Sequence, residues 1–158
     1  MNCRSSTYKF YVVVAFVLLI SFGSALSSAG QVTISGELKK WHRVTLTFEG
    51  PETSEKATPN PFLDYRLDVT FQNGDKRVVV PGFYATDGNA GETSATAGNK
   101  WRVYFMPAQM GLWSYRVSFR TDVNIAVLSD PNAGSAGMID GLTGTFSVAA
   151  TDKKWPDN

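Results

Sequence analysis

Chemistry at neutral pH needs a base, a nucleophile, a metal or a pair of tuned carboxylates, and this 158-residue sequence is sparing with all of them. Its one histidine, His42, would have to be the base of any Ser-His-Asp arrangement. In the run WHRVTLTFE, however, it shares parity with Val44, Leu46 and Phe48, so it reads as a partly buried strand histidine at the end of a core face. The one cysteine is Cys3, and with a single histidine beside it the usual zinc ligand sets are excluded. Glycoside hydrolysis needs two carboxylates facing each other across a cleft, one with a raised pKa. Asp64 and Asp68 instead flank Arg66 on the polar side of one strand, the pattern of a solvated, ion-paired row. Asp87-Gly88-Asn89-Ala90-Gly91-Glu92 offers oxygen ligands without the spacing of a known calcium loop, and reads as a polar loop. No catalytic residue, metal site or cofactor motif is assigned.

Aromatic side chains are the other candidates, because an exposed ring stacks on the apolar face of a pyranose. They make up 13% of the chain and crowd into KWRVYFMPAQMGLWSYRVSF, residues 100–119. Parity decides their role. Trp101, Val103 and Phe105 oppose Lys100, Arg102 and Tyr104; Trp113, Tyr115, Val117 and Phe119 oppose Ser114, Arg116 and Ser118. The stretch is therefore core, with Tyr104 its one outward ring. Trp41, outward by the same rule, and Phe83 and Tyr84, after the Pro81-Gly82 turn, are left as candidate ligand or interdomain contacts.

The elements that would hold these residues are strands. Tyr65, Leu67, Val69 and Phe71 alternate with Arg66, Asp68 and Thr70, and Val44, Leu46 and Phe48 alternate with Thr45 and Thr47, each a strand with one dry and one wet face. Leu63 extends the first of these patterns. Shorter strands are expected at residues 31–35, 76–80 and 144–150, with a hairpin turn centred on Asn73-Gly74. Residues 50–61, 85–99 and 129–144 are rich in Pro, Gly and small residues and read as loops. About seven antiparallel strands predict an all-β, immunoglobulin-like sandwich. In such folds an aromatic at one corner bonds back to the corner's backbone. Gly111-Leu112-Trp113 has that spacing, with Trp113 in the tyrosine's place and Tyr115 where a disulfide cysteine commonly sits.

The ends of the chain differ from this body. Residues 1–29 combine a basic start (Arg4, Lys9), an apolar run from Phe10 to Ile20 and a small-residue exit at Ser27-Ser28-Ala29, the plan of a signal peptide. The run is shorter than the roughly 20 residues a membrane helix needs, so a secreted or periplasmic protein with no membrane contact after cleavage is expected. Cleavage removes Cys3 and leaves 13 Lys+Arg against 14 Asp+Glu, a formal charge of −1. A surface so nearly neutral argues against nucleic acid as a partner. Residues 30–150 form the sandwich in this reading, and 151–158 a linker or truncated end.

Four stretches together carry a resemblance. GELKKWHRVTLTFEGP (36–51), NPFLDYRLDVTF (60–71), VPGFYATDG (80–88) and WRVYFMPAQMGLWSY (101–115) are similar to a family of immunoglobulin-like domains of unknown function. That family sits at the N-terminus of secreted bacterial proteins, directly ahead of a domain read as a glycoside-hydrolase (β/α) barrel. The resemblance weakens through GLTGTFSV (141–148), and DKKWPDN (152–158) resembles the start of a linker. It implies a barrel after Asn158, outside this sequence, so hydrolase activity is not carried over to this chain. The expectation is a non-catalytic accessory module that packs on or positions a downstream glycoside-hydrolase barrel. The alternative is an independent carbohydrate-binding module that grips polysaccharide through Trp41 and the loop aromatics.

Overall fold

The computed structural model describes residues 30–154; the stretch read as a signal peptide, 1–29, and the end of the stretch read as a linker, 155–158, lie outside them. Nine strands follow in order: β1 (Val32–Gly36), β2 (Val44–Ser54), β3 (Tyr65–Asn73), β4 (Lys76–Pro81), β5 (Phe83–Tyr84), β6 (Ala97–Phe105), β7 (Gly111–Thr121), β8 (Ser135–Ala136) and β9 (Thr143–Val148). A single helical turn, α1 (Ala90–Thr93), precedes β6. Two strands have only two residues, which leaves seven of substance.

One antiparallel sheet has the order β1-β2-β6-β5; the other runs β4-β3-β7, with β8 and β9 sharing the far edge of β7. β8 pairs with Arg120 and Thr121, and β9 with Gly111 to Arg116. This is the strand arrangement of an immunoglobulin-like sandwich. Alternation builds it directly. Val44, Leu46, Phe48, Leu67, Val69, Phe71, Trp101, Val103, Phe105, Trp113, Tyr115, Val117 and Phe119 are all buried between the sheets, and Tyr65 packs against them half-buried.

The corner between β6 and β7 closes as its spacing predicts. Gly111 takes φ +102°, a conformation that favours glycine, and the indole Nε1 of Trp113 donates to the carbonyl of Gln109 at 3.0 Å. Phe48 of β2 meets Tyr115 of β7 edge to face at 6.5 Å, at the place where the inter-sheet disulfide of the fold would stand. Opposite Tyr115 on β9 is Gly144, where any Cβ would strike the phenol. A ring and a glycine fill the space of a disulfide.

Four expectations need correction. His42 lies in the bend before β2, since the first paired residue of that strand is Val44. Leu63 is exposed in the turn before β3. Asn73 pairs with Lys76, so the hairpin turn is Gly74-Asp75, with Gly74 at φ +54°. The loop at 129–144 is less loose than its small residues suggest, because Ile139 inserts into the core from it.

Candidate functional site

Three places gather the side chains that sequence reading singled out. The first is the outer face of the sheet containing β5 and β6. Phe83 pairs with Arg102 across β5 and β6, and its ring meets Tyr104 edge to face at 5.1 Å. Both are open to solvent, 40% and 43% exposed, in that order. The Arg43 guanidinium lies 4.7 Å from the Tyr104 ring centre. Beside Phe83 an open pocket of about 360 Å³ is also lined by Phe62, Glu55 and Arg102. Phe62 is exposed as well; sequence reading passed over it because it falls in a proline-bounded turn with no alternation to assign it a side.

Tyr84 was expected in an exposed loop and lies inside, 6% exposed. Phe83 and Tyr84 form a two-residue strand, and alternation turns one ring out and the next in. The Tyr84 ring packs on Trp101 at 5.1 Å, and its hydroxyl lies 2.7 Å from the Thr53 carbonyl and 3.1 Å from that of Gly98. Burial, and then the Glu52 carboxylate, hold its phenol above the ordinary tyrosine range. Tyr84 thus anchors the segment that presents Phe83.

The second place is the end of the sandwich where β9 runs out. Trp41 is half-buried in the turn before β2, at φ +63°. Its N–H donates to the Pro107 carbonyl at 2.9 Å, its carbonyl accepts from Lys153 Nζ at 2.6 Å, and Lys40 Nζ sits 4.0 Å over its ring. Beside it Lys39 Nζ donates to Glu37 Oε2 at 2.8 Å and to Asp152 Oδ2 at 2.5 Å. His42, its side chain 15% exposed, lies between the same two carboxylates. Its Nε2 is 2.8 Å from Asp152 Oδ1 without the alignment of a hydrogen bond, and its Nδ1 is 3.6 Å from Glu37 Oε2.

The hydrogen bond from Lys39 is the first cause holding each of Glu37 and Asp152 below the ordinary carboxylate range, and the same bonds, to Asp152 foremost, raise Lys39. Glu37, His42 and Asp152 offer ligand atoms within 4.8 Å of one another. The Lys39 ammonium already bridges the two carboxylates, so the charge a cation would supply there comes from the protein. Sequence reading missed this constellation because Asp152 falls in the stretch read as linker.

The third place is the row around Arg66, where the expected solvated ion pairs are largely absent. Arg66 pairs with Asp68 at 3.5 Å, but its guanidinium also donates to the carbonyls of Leu128, Asp130 and Pro131 at 2.9–3.0 Å, which pins that loop over the strand. Asp64 precedes β3 and accepts from the Asn60 and Asn124 amides, which lower its pKa, while burial raises Asp68. The two carboxylates do structural work on separate segments. Asp87 is similarly engaged, accepting from the Asn89 amide at 2.7 Å and the Thr93 hydroxyl at 2.6 Å.

The segments that meet at the Trp41 end and carry the corner, residues 37–120, match the model of a domain of unknown function, DUF5060, over more than half of the chain. The chain belongs to the DUF5060 family. Among solved structures, this DUF5060 domain is similar to one described as a "putative glycoside hydrolase from Bacteroides vulgatus ATCC 8482", at 34% identity and a TM-score of 0.48. That match covers 73% of this chain and 16% of the other, so this chain spans a small part of that protein's length. No curated protein matches the sequence.

Proposed function

We propose that this DUF5060 domain is a non-catalytic accessory module that packs on and positions a downstream glycoside-hydrolase barrel, with its Trp41 end as the contact. One observation carries the reading: the chain leaves the sandwich beside Trp41. Ala149 N–H donates to Leu38 O, Lys40 N–H donates to Ala149 O, and Lys153 reaches the Trp41 carbonyl. A domain that follows is therefore tethered from a segment whose last described residues run beside a half-buried tryptophan and a tied cluster of charges, and the family resemblance supplies the class of that domain.

The test places a photo-crosslinking amino acid at position 41, or at 83 for comparison, in the protein extended through its barrel. Crosslinks from position 41 to barrel peptides are the expected result. No crosslink from position 41, whether or not position 83 crosslinks, would overturn it.

A second reading, carbohydrate binding by exposed aromatics, is favoured by the Phe83–Tyr104 pair and the pocket beside it. Phe83→Ala would then abolish retardation of the chain in gels containing the bound neutral polysaccharide, and a wild type unretarded by every neutral polysaccharide tried removes this reading.

Export belongs to the same proposal. Among the described residues no helix is long and apolar enough to cross a membrane. Mass spectrometry of protein recovered from periplasm or medium is expected to find a mature N-terminus near Gly30, and an intact Met1 there would contradict the leader.

A further inference from the structure

Six arginines lie among the described residues, and four are committed. Arg66 donates to loop carbonyls and pairs with Asp68. Arg120 donates to the carbonyls of Ala133, Asn132 and Gly134. Arg102 donates to Thr47 Oγ1 at 3.1 Å, and Arg43 lies on Tyr104. Arg77 and Arg116 have no such partner among the described residues.

These two arginines face the same groove. Register fixes their placement on the outer face of the β4-β3-β7-β9 sheet: Gln72 lies between Arg77 and Ser114, and Thr70 between Val79 and Arg116. On the far side Arg116 pairs with Thr143, and Ser114 with Thr145. The two arginines are therefore two strands and one row apart, about 10 Å across the sheet and about 7 Å along it. Two adjoining depressions, of about 400 and 320 Å³, both include Thr70, Arg77 and Arg116 in their lining. Between and beside the guanidinium groups the floor is hydroxyl and amide: Thr70, Gln72, Ser114 and Thr143. The carboxylate nearest in register, Asp68, is the one paired with Arg66.

We infer that this groove binds an acidic polysaccharide, its two arginines holding carboxylate or sulfate groups and its hydroxyl floor the sugar between them. Guanidinium groups take such anions through paired N–H donors, and hydroxyl and amide side chains can both donate to and accept from sugar hydroxyls. Charge complementarity selects the occupant, because two uncompensated cations on a chain of nearly neutral total charge mark a local anion site rather than a generally basic surface. That the anion is carried on a saccharide rests on the proposed accessory role; the site itself lies on the opposite sheet from Phe83 and Tyr104.

The experiment is affinity electrophoresis of the chain in gels containing polygalacturonate, dextran sulfate or neutral dextran. Wild type is expected to be retarded by polygalacturonate, dextran sulfate or both, and not by dextran. Retardation by only one of the two names the anion. Each of R77Q and R116Q should weaken the apparent affinity by about tenfold, the scale of one lost charged hydrogen-bonding group. The double variant should migrate as if no polysaccharide were present, with an unchanged thermal midpoint. The charge-matched double Lys56→Gln/Lys154→Gln should remain retarded, as should Trp41→Ala, which separates this site from the barrel contact. No retardation by either polyanion, equal retardation by dextran, or equal loss in the charge-matched control would overturn the inference.

Discussion

Trp101 and Trp41 are both large rings next to lysine, and the domain uses them in opposite ways. Trp101 is 1% exposed, packed against Tyr65, Tyr84 and Phe119 with ring centres 4.9–5.3 Å apart. Trp41 is half outside, held by the Pro107 carbonyl on its amide, a lysine on its own carbonyl and another over its face. The same contrast separates Trp113, whose indole bonds back to its own corner, from Phe83, whose edge meets the exposed Tyr104 ring. Inner rings are fixed by alternation and by area removed from water; outer rings are held by cations and by each other. The first kind builds a sandwich that lacks a disulfide, and the second lies at its surface.

The largest break in this contrast is Trp101→Ala. It opens a cavity against three rings and is expected to lower unfolding free energy by about 3–5 kcal/mol, read by chemical denaturation; a loss below about 1 kcal/mol would place Trp101 outside the core. Next comes Trp113→Phe, which keeps the ring but removes the donor to Gln109. Its expected cost is about 1–3 kcal/mol, the penalty of a carbonyl left without its bond, and no change would deny the corner its role. Trp41→Ala in the 158-residue chain should cost less, about 1 kcal/mol, because the backbone bonds to Pro107 and Lys153 survive the truncation.

The smallest effect is electrostatic. Glu37 and Asp152 have folded pKa values below their unfolded ones, so their bonds to Lys39 stabilise above the ordinary carboxylate range, about pH 4, and that stabilisation is lost as pH falls through the lower folded values. Lys39→Met should therefore melt slightly below wild type at pH 7 and level with it near pH 2; an equal gap at both would remove the cluster from the pH response.

Period two was enough to read the inner population, because each long strand carries a dry row and a wet row in its own letters. The outer population was harder. Tyr84 and Phe83 sit on a strand of two residues, too short to show alternation, and one of them turned inward. Ile139 reaches the core from a loop of small residues, and Arg66 looks solvated until the loop at 125–131 folds over it. His42 acquires Asp152 from the far end of the chain. The last two contacts join residues more than fifty positions apart, and the loop segments that make them have no periodicity, so local pattern carries no trace of them.

The most direct test of the account is one substitution measured in two settings: thermal unfolding of Trp41→Ala in the 158-residue chain and in a protein extended through the proposed glycoside-hydrolase barrel. The account predicts a midpoint only slightly below wild type in the short chain and a barrel transition lowered by several degrees in the long one. A barrel transition that ignores the substitution, or a loss equally large in the short chain, would contradict it.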